Sequence, residues 1–287
     1  KMKRIDPNLI EHLEWSPEDD DHSALPPNPV DRTLKFSIEE ILNGSEFYNT
    51  KLNIALQETE DYAGEEGIVV SMPELIAAKI KADKTHKFWN KYYTVQSEEN
   101  IGIDVNGTIL DRGESALVVV HGGGILTSER IGRAYDEGLI GGSAKYTQEE
   151  FSNLLRGELP DGNSIRLYSI DDLKRSSPIE RKYGVVIPYG LARETKSSYY
   201  GKDEFMRNPL VIARFGGMEN IEKYFDLAKS SDGNVGCWHR FSDQNLNIPE
   251  GRVLCLVSDY GGLDGDINLN GDGRFVGVAP KVHGEER

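Results

Sequence analysis

The chain has 287 residues, of which 38% are hydrophobic and 28% charged, with a formal net charge of -15. That length accommodates one large core or two modest ones, and the acidic balance, without any basic run, excludes a broad nucleic-acid contact surface, which needs clustered Lys and Arg. No apolar run approaches the ~20 residues that cross a bilayer, the first residues carry no apolar signal region, and two cysteines make no disulfide framework, so the expectation is a soluble cytoplasmic protein with no membrane partner.

Residues 1–31 contain the like-charge run Glu18 to Asp21 and the segment Pro26-Pro27-Asn28-Pro29. They read as an irregular, acidic, proline-bearing arm suited to wrapping a neighbour in a homo-oligomer, a reading preferred to metal binding by His12 and His22. A single globular body is expected over residues 32–287, with an internal boundary considered near 112–115.

From Ser37 the chain shows folding signals. Ser37-x-x-Glu40 is a capping box that opens a short helix through Ile41 and Leu42, ended by Gly44. Leu52 to Leu56 alternates like a strand, and Gly67 to Val70 suggests another. Ser71-x-x-Glu74 with Pro73 opens a helix carrying Leu75, Ile76 and Ile80. The aromatic group Phe88, Trp89, Tyr92 and Tyr93 reads as core or interface rather than as a stacking platform.

Ile101 to Leu110 has two readings. Asp104-x-Asn106-Gly107-Thr108 with Asp111 resembles the first motif of the haloacid-dehalogenase phosphatases, and the resemblance implies Asp104 as nucleophile, although Asn106 stands where that family has a second acidic residue. Asn-Gly between alternating apolar residues is also a strong hairpin signal, and the hairpin is preferred.

Ala116 to Tyr135 is the stretch on which the functional reading turns. Five small or branched apolar residues, Ala116 to Val120, predict a strand buried on both faces. Gly122, Gly123 and Gly124 follow His121, and Thr127 or Ser128 caps a helix whose Ile131, Ala134 and Tyr135 face inward. Amide donors in a glycine loop at a helix start favour an anion. They point to a small phosphate- or carboxylate-bearing ligand held by Gly122 to Gly124 and Ser128, neutralised by Arg130 or Arg133, with His121 as general acid or base. The competing reading is a tight strand-to-helix turn without a ligand. His121 to Gly124 also resembles the oxyanion-hole segment of the esterase and lipase branch of the α/β-hydrolases, but no Gly-x-Ser-x-Gly elbow follows it.

Gly141-Gly142 then breaks the chain, and Thr147-x-x-Glu150 caps a helix with Phe151, Leu154 and Leu155. Ile165 to Tyr168 and Val185 to Ile187 read as strands, with Ser169 capping a turn of helix between them. Leu191 to Asn208 reads as a surface loop or lid. Leu210 to Phe215, Gly216-Gly217 and the helix Met218 to Lys229 read as a repeat of the strand, turn, helix grammar of 116–135.

Cys237-Trp238-His239 places a thiol and an imidazole two residues apart, a candidate nucleophile pair with His239, His121 or His283 as base. Buried packing is the alternative. Asp266-x-Asn268-x-Asn270-Gly271 matches the opening of a calcium loop, although position twelve is Gly277; a looser calcium site would draw on Asp264, Asp266, Asn268, Asn270 and Asp272. An Asn-Gly and Asp-Gly turn before a strand over Arg274 to Ala279 is preferred.

Together these signals predict an α+β protein with a mixed, largely antiparallel sheet and several short helices. Three functions remain open: an enzyme or binder of a small anion, a noncatalytic assembly protein joined through its arm, or a calcium-dependent binding protein.

Overall fold

The computed structural model describes residues 36–240, 246–258 and 261–280. The arm inferred over residues 1–31, with His12 and His22, lies outside the described residues, as does His283. The described residues fall within one compact unit, Arg32–Arg287.

Twelve strands are described: β1 (Ser45–Asn49), β2 (Ile68–Val69), β3 (Tyr93–Ile103), β4 (Ser115–His121), β5 (Ala144–Lys145), β6 (Arg166–Ser169), β7 (Tyr183–Pro188), β8 (Ser198–Tyr200), β9 (Val235–Trp238), β10 (Glu250–Leu256), β11 (Leu263–Asp264) and β12 (Gly273–Val278). The fold is α+β. A small antiparallel sheet ordered β1-β12-β2 joins the first and last of these strands, and the main sheet runs β6-β7-β4-β3-β10-β11-β9-β8, with β5 added to β10. Among the described residues, only the β6–β7 and β9–β11 pairs are parallel.

The main sheet is organised by β4. Ala116 to Val120 are each 0% exposed. Leu117 and Val119 enter one apolar cluster, and Ala116, Val118 and Val120 enter another on the opposite face. The apolar run therefore forms a strand covered on both sides, the pattern its sequence predicts.

Capping residues set the helix starts. Ser37 with Glu40, Ser71 with Glu74 and Thr147 with Glu150 form reciprocal capping boxes, and Thr127 accepts from the Arg130 amide to start Ser128–Glu137.

Three expected elements take another form. Leu52 to Leu56 opens a helix, Leu52–Ala63, because Leu52, Ala55, Leu56, Thr59 and Ala63 share one buried face while Ile54 is exposed. Leu210 to Phe215 is also helical. Asn208 caps it, Pro209 occupies its first turn and Gly216 closes it at φ 68°. Every residue from Leu210 to Phe215 is buried, and a helix covered all round has no polar period to distinguish it from a buried strand. The expected lid at 191–208 is ordered as the helices Tyr189–Glu194 and Lys202–Arg207 with β8 between them.

β3 and β4 form the expected hairpin, but its connection is an eleven-residue loop rather than a two-residue Asn-Gly turn. The Asp104 carboxylate, buried at 1% exposure, accepts from the amides of Thr108, Ile109 and Leu110 at 2.9–3.1 Å. Those bonds hold its pKa below the ordinary aspartate value against the opposing effect of burial. Asp104 thus organises its own loop, which corrects the nucleophile implied by the phosphatase resemblance.

Candidate functional site

The amides just past the glycines, at Ile125 and Leu126, are taken by a carboxyl group of the protein itself. Glu98, on β3, accepts from the amides of Ile125 and Leu126, each at 2.8 Å, and from the Asn100 side-chain amide at 3.0 Å. Tyr146 donates to Asn100 at 2.8 Å and extends the network. Gly122 and Gly123 both donate to the Gln96 carbonyl. The three glycines have separate physical reasons. Gly122 and Gly123 have φ of 77° and 102°, whereas a Cβ on Gly124 would sit 2.3 Å from Glu98 Oε1. The hollow beside Gly123 and Glu98 encloses about 10 Å³, room for no more than one water. An external phosphate has no volume there, so the anion-pocket expectation is corrected: the carboxyl group of Glu98 occupies the place.

His121 is 0% exposed and both ring nitrogens are engaged. Nδ1 lies 2.8 Å from Ser97 Oγ and Nε2 2.9 Å from the Ala213 carbonyl. A carbonyl only accepts, so Nε2 carries the proton and Nδ1 accepts from the Ser97 hydroxyl. Ser97 Oγ in turn accepts from the Met72 amide at 2.9 Å. Burial lowers the His121 pKa to about 4, which keeps the ring neutral and removes the near-neutral titration expected of a general base.

The other residues assigned to the anion site are also engaged internally. The Ser128 hydroxyl lies 2.7 Å from Gln57 Oε1 and 2.8 Å from Glu60 Oε2 and gives its one proton between them. Arg130 pairs with Glu150 at 3.2 Å and Glu137 at 3.4 Å, and Arg133 joins the same two carboxylates. These arginines fasten the 128–137 helix to the following helix rather than facing the loop.

On the opposite side of β3, Glu99 meets Arg214, the largest fully buried side chain among the described residues, itself 0% exposed. Arg214 donates from Nε and Nη2 to Glu99 at 2.8 and 3.1 Å, from Nη2 to the Trp238 carbonyl at 2.9 Å, and from Nη1 to the Leu263 carbonyl at 3.1 Å and Cys237 Sγ at 3.3 Å. All five guanidinium donors are satisfied. Burial alone would lower the Arg214 pKa, but the Glu99 carboxylate more than offsets it and the net shift is upward.

This arrangement decides the fate of the thiol–imidazole pair. Burial pushes the Cys237 thiol up to about 11, so it is a neutral partner of Arg214 rather than an activated nucleophile. His239 donates through Nε2 to the Thr195 carbonyl at 3.0 Å, and burial shifts its pKa downward. The catalytic reading of Cys237 and His239 is corrected on those grounds. Cys255 is also a free, buried thiol.

The acidic residues of the expected calcium loop point to different partners. Asp264 accepts from the Asp266 amide at 2.7 Å, and Asp266 lies 3.8 and 3.9 Å from Arg240 and Arg252. Asp272 accepts from Tyr92 at 2.6 Å and Tyr48 at 3.1 Å, bonds that lower its pKa. Asn268 contributes its backbone carbonyl to the Gly271 amide, and Asn270 is exposed. Among the described residues no group of three or more His, Cys, Asp or Glu side chains converges as a metal site. The Asp266–Asp272 segment is thus a turn sequence held by arginines and tyrosines, and the calcium expectation is corrected.

Glu98, Glu99 and Arg214 were not singled out from the sequence. Ser97-Glu98-Glu99-Asn100 resembles an exposed turn when read alone. The usable signal was Arg214, a lone charge inside Leu210 to Phe215 that has to find a buried partner.

What remains at the surface is an aromatic and polar patch where β8, β9 and β11 meet. Tyr199, 51% exposed, packs edge-on to Trp238 with ring centroids 4.8 Å apart. Trp238 folds back over Gly236, where a Cβ would lie 2.8 Å from the indole. Arg240 and Asp266 adjoin it, each with 42% of its side chain exposed. The backbone beneath is fixed by Arg214 and by the Gly265 amide, which donates to the Trp238 carbonyl at 3.0 Å.

No known family matches the sequence, and no curated protein matches it. Among the described residues no helix is long and apolar enough to cross a membrane. A solved structure described as "Accommodation of massive sequence variation in Nanoarchaeota by the C-type lectin fold" is 27% identical, covers 81% of this chain and 96% of its own, and superposes with a TM-score of 0.63. The chain is therefore similar in fold to a protein built on the C-type lectin fold, a fold used for binding.

Proposed function

We propose that this protein is a noncatalytic binding module that presents Tyr199, Trp238, Arg240 and Asp266 to a protein ligand. One observation carries the reading. The segments bearing these side chains are held through backbone atoms, with Arg214 fixing the Trp238 and Leu263 carbonyls and Gly265 donating to Trp238. Arg214 and Gly265 hold these segments through carbonyl groups that a change of side chain leaves in place, alongside the contacts that Arg240 makes to the Gly141 carbonyl and Asp266 to Arg252. The similar solved structure is described in terms of sequence variation accommodated by its fold, and a separation of frame from surface is the physical condition such accommodation needs. Exposed Tyr, Trp and Arg are also the side chains that dominate protein–protein binding energy.

The test is a display library randomised at positions 199, 238, 240 and 266, sorted first for folding and then for binding to a panel of folded probe proteins. Most members are expected to fold, and selective binders are expected to emerge. A library that folds but returns no selective binder sinks the recognition role. One that mostly unfolds sinks the separation of frame from surface.

A further inference from the structure

On other elements of the chain, a cavity of about 480 Å³ opens between the start of the described chain, the helix Met72–Lys81, the segment before β7 and the Gly216-Gly217 turn. Its volume lies in the range of small-molecule pockets. Its walls include Phe36, Ile41, Pro73 and Phe215, three of them buried hydrophobic side chains and all apolar.

Once internal pairs are set aside, Glu219 is the charged lining residue without an ion-pair partner among the described residues. Arg181 is bound by Glu74 through Nε at 2.7 Å and Nη2 at 3.2 Å, and also donates to the Val69 carbonyl. That pair is nearly neutral as a unit, and an incoming anion would have to displace Glu74. Glu180 and Glu219 complete the ionisable lining. Glu180 accepts from Tyr168 and lies 3.8 Å from the mostly exposed Arg166, while Glu219 has no ion-pair partner among the described residues. Tyr183, only 5% exposed, lines the same cavity, and its hydroxyl is engaged by no hydrogen bond within the described residues. The hydroxyl is not sealed off as a buried orphan, and its lone pairs can accept from an N–H donor.

We propose that this cavity binds an organic cation, an ammonium group carried on an apolar body. The apolar part contacts Phe36, Ile41 and Phe215, and the ammonium lies toward the Tyr183 hydroxyl and the Glu180 and Glu219 carboxylates. The site uses none of the side chains assigned to the recognition patch, so the two proposals stand or fall separately.

Isothermal titration calorimetry with octylammonium, octanol and octanoate separates charge from apolar character, because the three share one chain length. Octylammonium is expected to bind roughly tenfold more tightly than octanoate, as one or two partly screened charge contacts would give. Glu219→Gln should weaken octylammonium about threefold and leave octanol unchanged. Ala77→Trp, a cavity-lining change on a partly exposed helix position, should abolish binding of all three. Ile179→Lys provides a second route at a wall residue 69% exposed, where folding is insensitive to the change, and should weaken octylammonium selectively. Equal affinity for the three probes, preference for octanoate, no heat from any probe at millimolar concentration, or unchanged octylammonium binding in folded Ala77→Trp or Ile179→Lys would overturn the assignment.

Discussion

Glu98 and Glu99 are consecutive residues of β3, both buried at 3% exposure, and the pleat sends them to opposite faces of the sheet. Each is satisfied by a different chemistry. Glu98 is held by two backbone amides and one side-chain amide. Burial dominates its titration, and its pKa is raised despite those bonds. Glu99 is held by the guanidinium of Arg214, which also grips β9 and β11. The first arrangement fixes one loop against one strand. The second fixes the segments under the recognition patch, and removing its cation would leave a charge in the core.

The largest effect is therefore expected at the second carboxylate. Arg214→Met should destabilise by about 3–5 kcal/mol because Glu99 is left unpaired, and adding Glu99→Leu should restore much of that loss. Urea midpoints of the single and double variants check it. If the double variant were no more stable than the single, the unpaired charge would not be the source of the damage.

Titration of His121 ranks next. Its folded pKa is depressed to about 4 from 6.5, so the stability it contributes is complete above pH ~6.5 and is lost as pH falls through about 4. A fully developed shift of that size corresponds to ~3 kcal/mol. Glu98 acts with the opposite sign, since a raised folded pKa favours the native state below the ordinary glutamate value of 4.5 and loses that favour as pH rises through the folded value. Urea midpoints between pH 7 and 4 should fall more steeply for the parent than for His121→Gln. Parallel profiles would remove the histidine from this account.

Gly124→Ala should cost about 1–3 kcal/mol by pushing a methyl against Glu98, and the companion change Glu98→Ala should make the two substitutions non-additive. Thermal unfolding of the double-mutant cycle measures that coupling. The smallest effect is expected at the patch, where Tyr199→Ser should change stability by about 0.5 kcal/mol or less while altering any binding selected through that surface. A thermal shift as large as that of Gly124→Ala would show that the tyrosine belongs to the frame.

The comparison also explains where sequence reading succeeded. The β4 strand was legible because five consecutive apolar residues admit only a covered element, and the starts at Ser37, Ser71, Thr127 and Thr147 were legible because capping chemistry is local. The helices at 52–63 and 209–215 were misread because a short apolar segment carries no decisive period. The loop after His121 predicts an external anion on the amides of Gly122 to Gly124, but Gly122 and Gly123 donate to the Gln96 carbonyl and the amides of Ile125 and Leu126 donate to Glu98. Its occupant was missed, since Glu98 lies 24 residues before Gly122 and approaches only through the β3–β4 pairing.

By itself the sequence determined the local elements whose causes lie within a few residues: caps, glycine turns and doubly buried strands. It also determined that Arg214, isolated in an apolar run, had to be paired or exposed. Only the tertiary structure decided which carboxylate meets which donor, because desolvation and hydrogen bonding depend on what is brought within about 3 Å, and strand pairing rather than chain distance sets that proximity. The same dependence turned a candidate anion site into an internal ligand, and it placed aromatic and charged side chains together on the surface where β8, β9 and β11 converge.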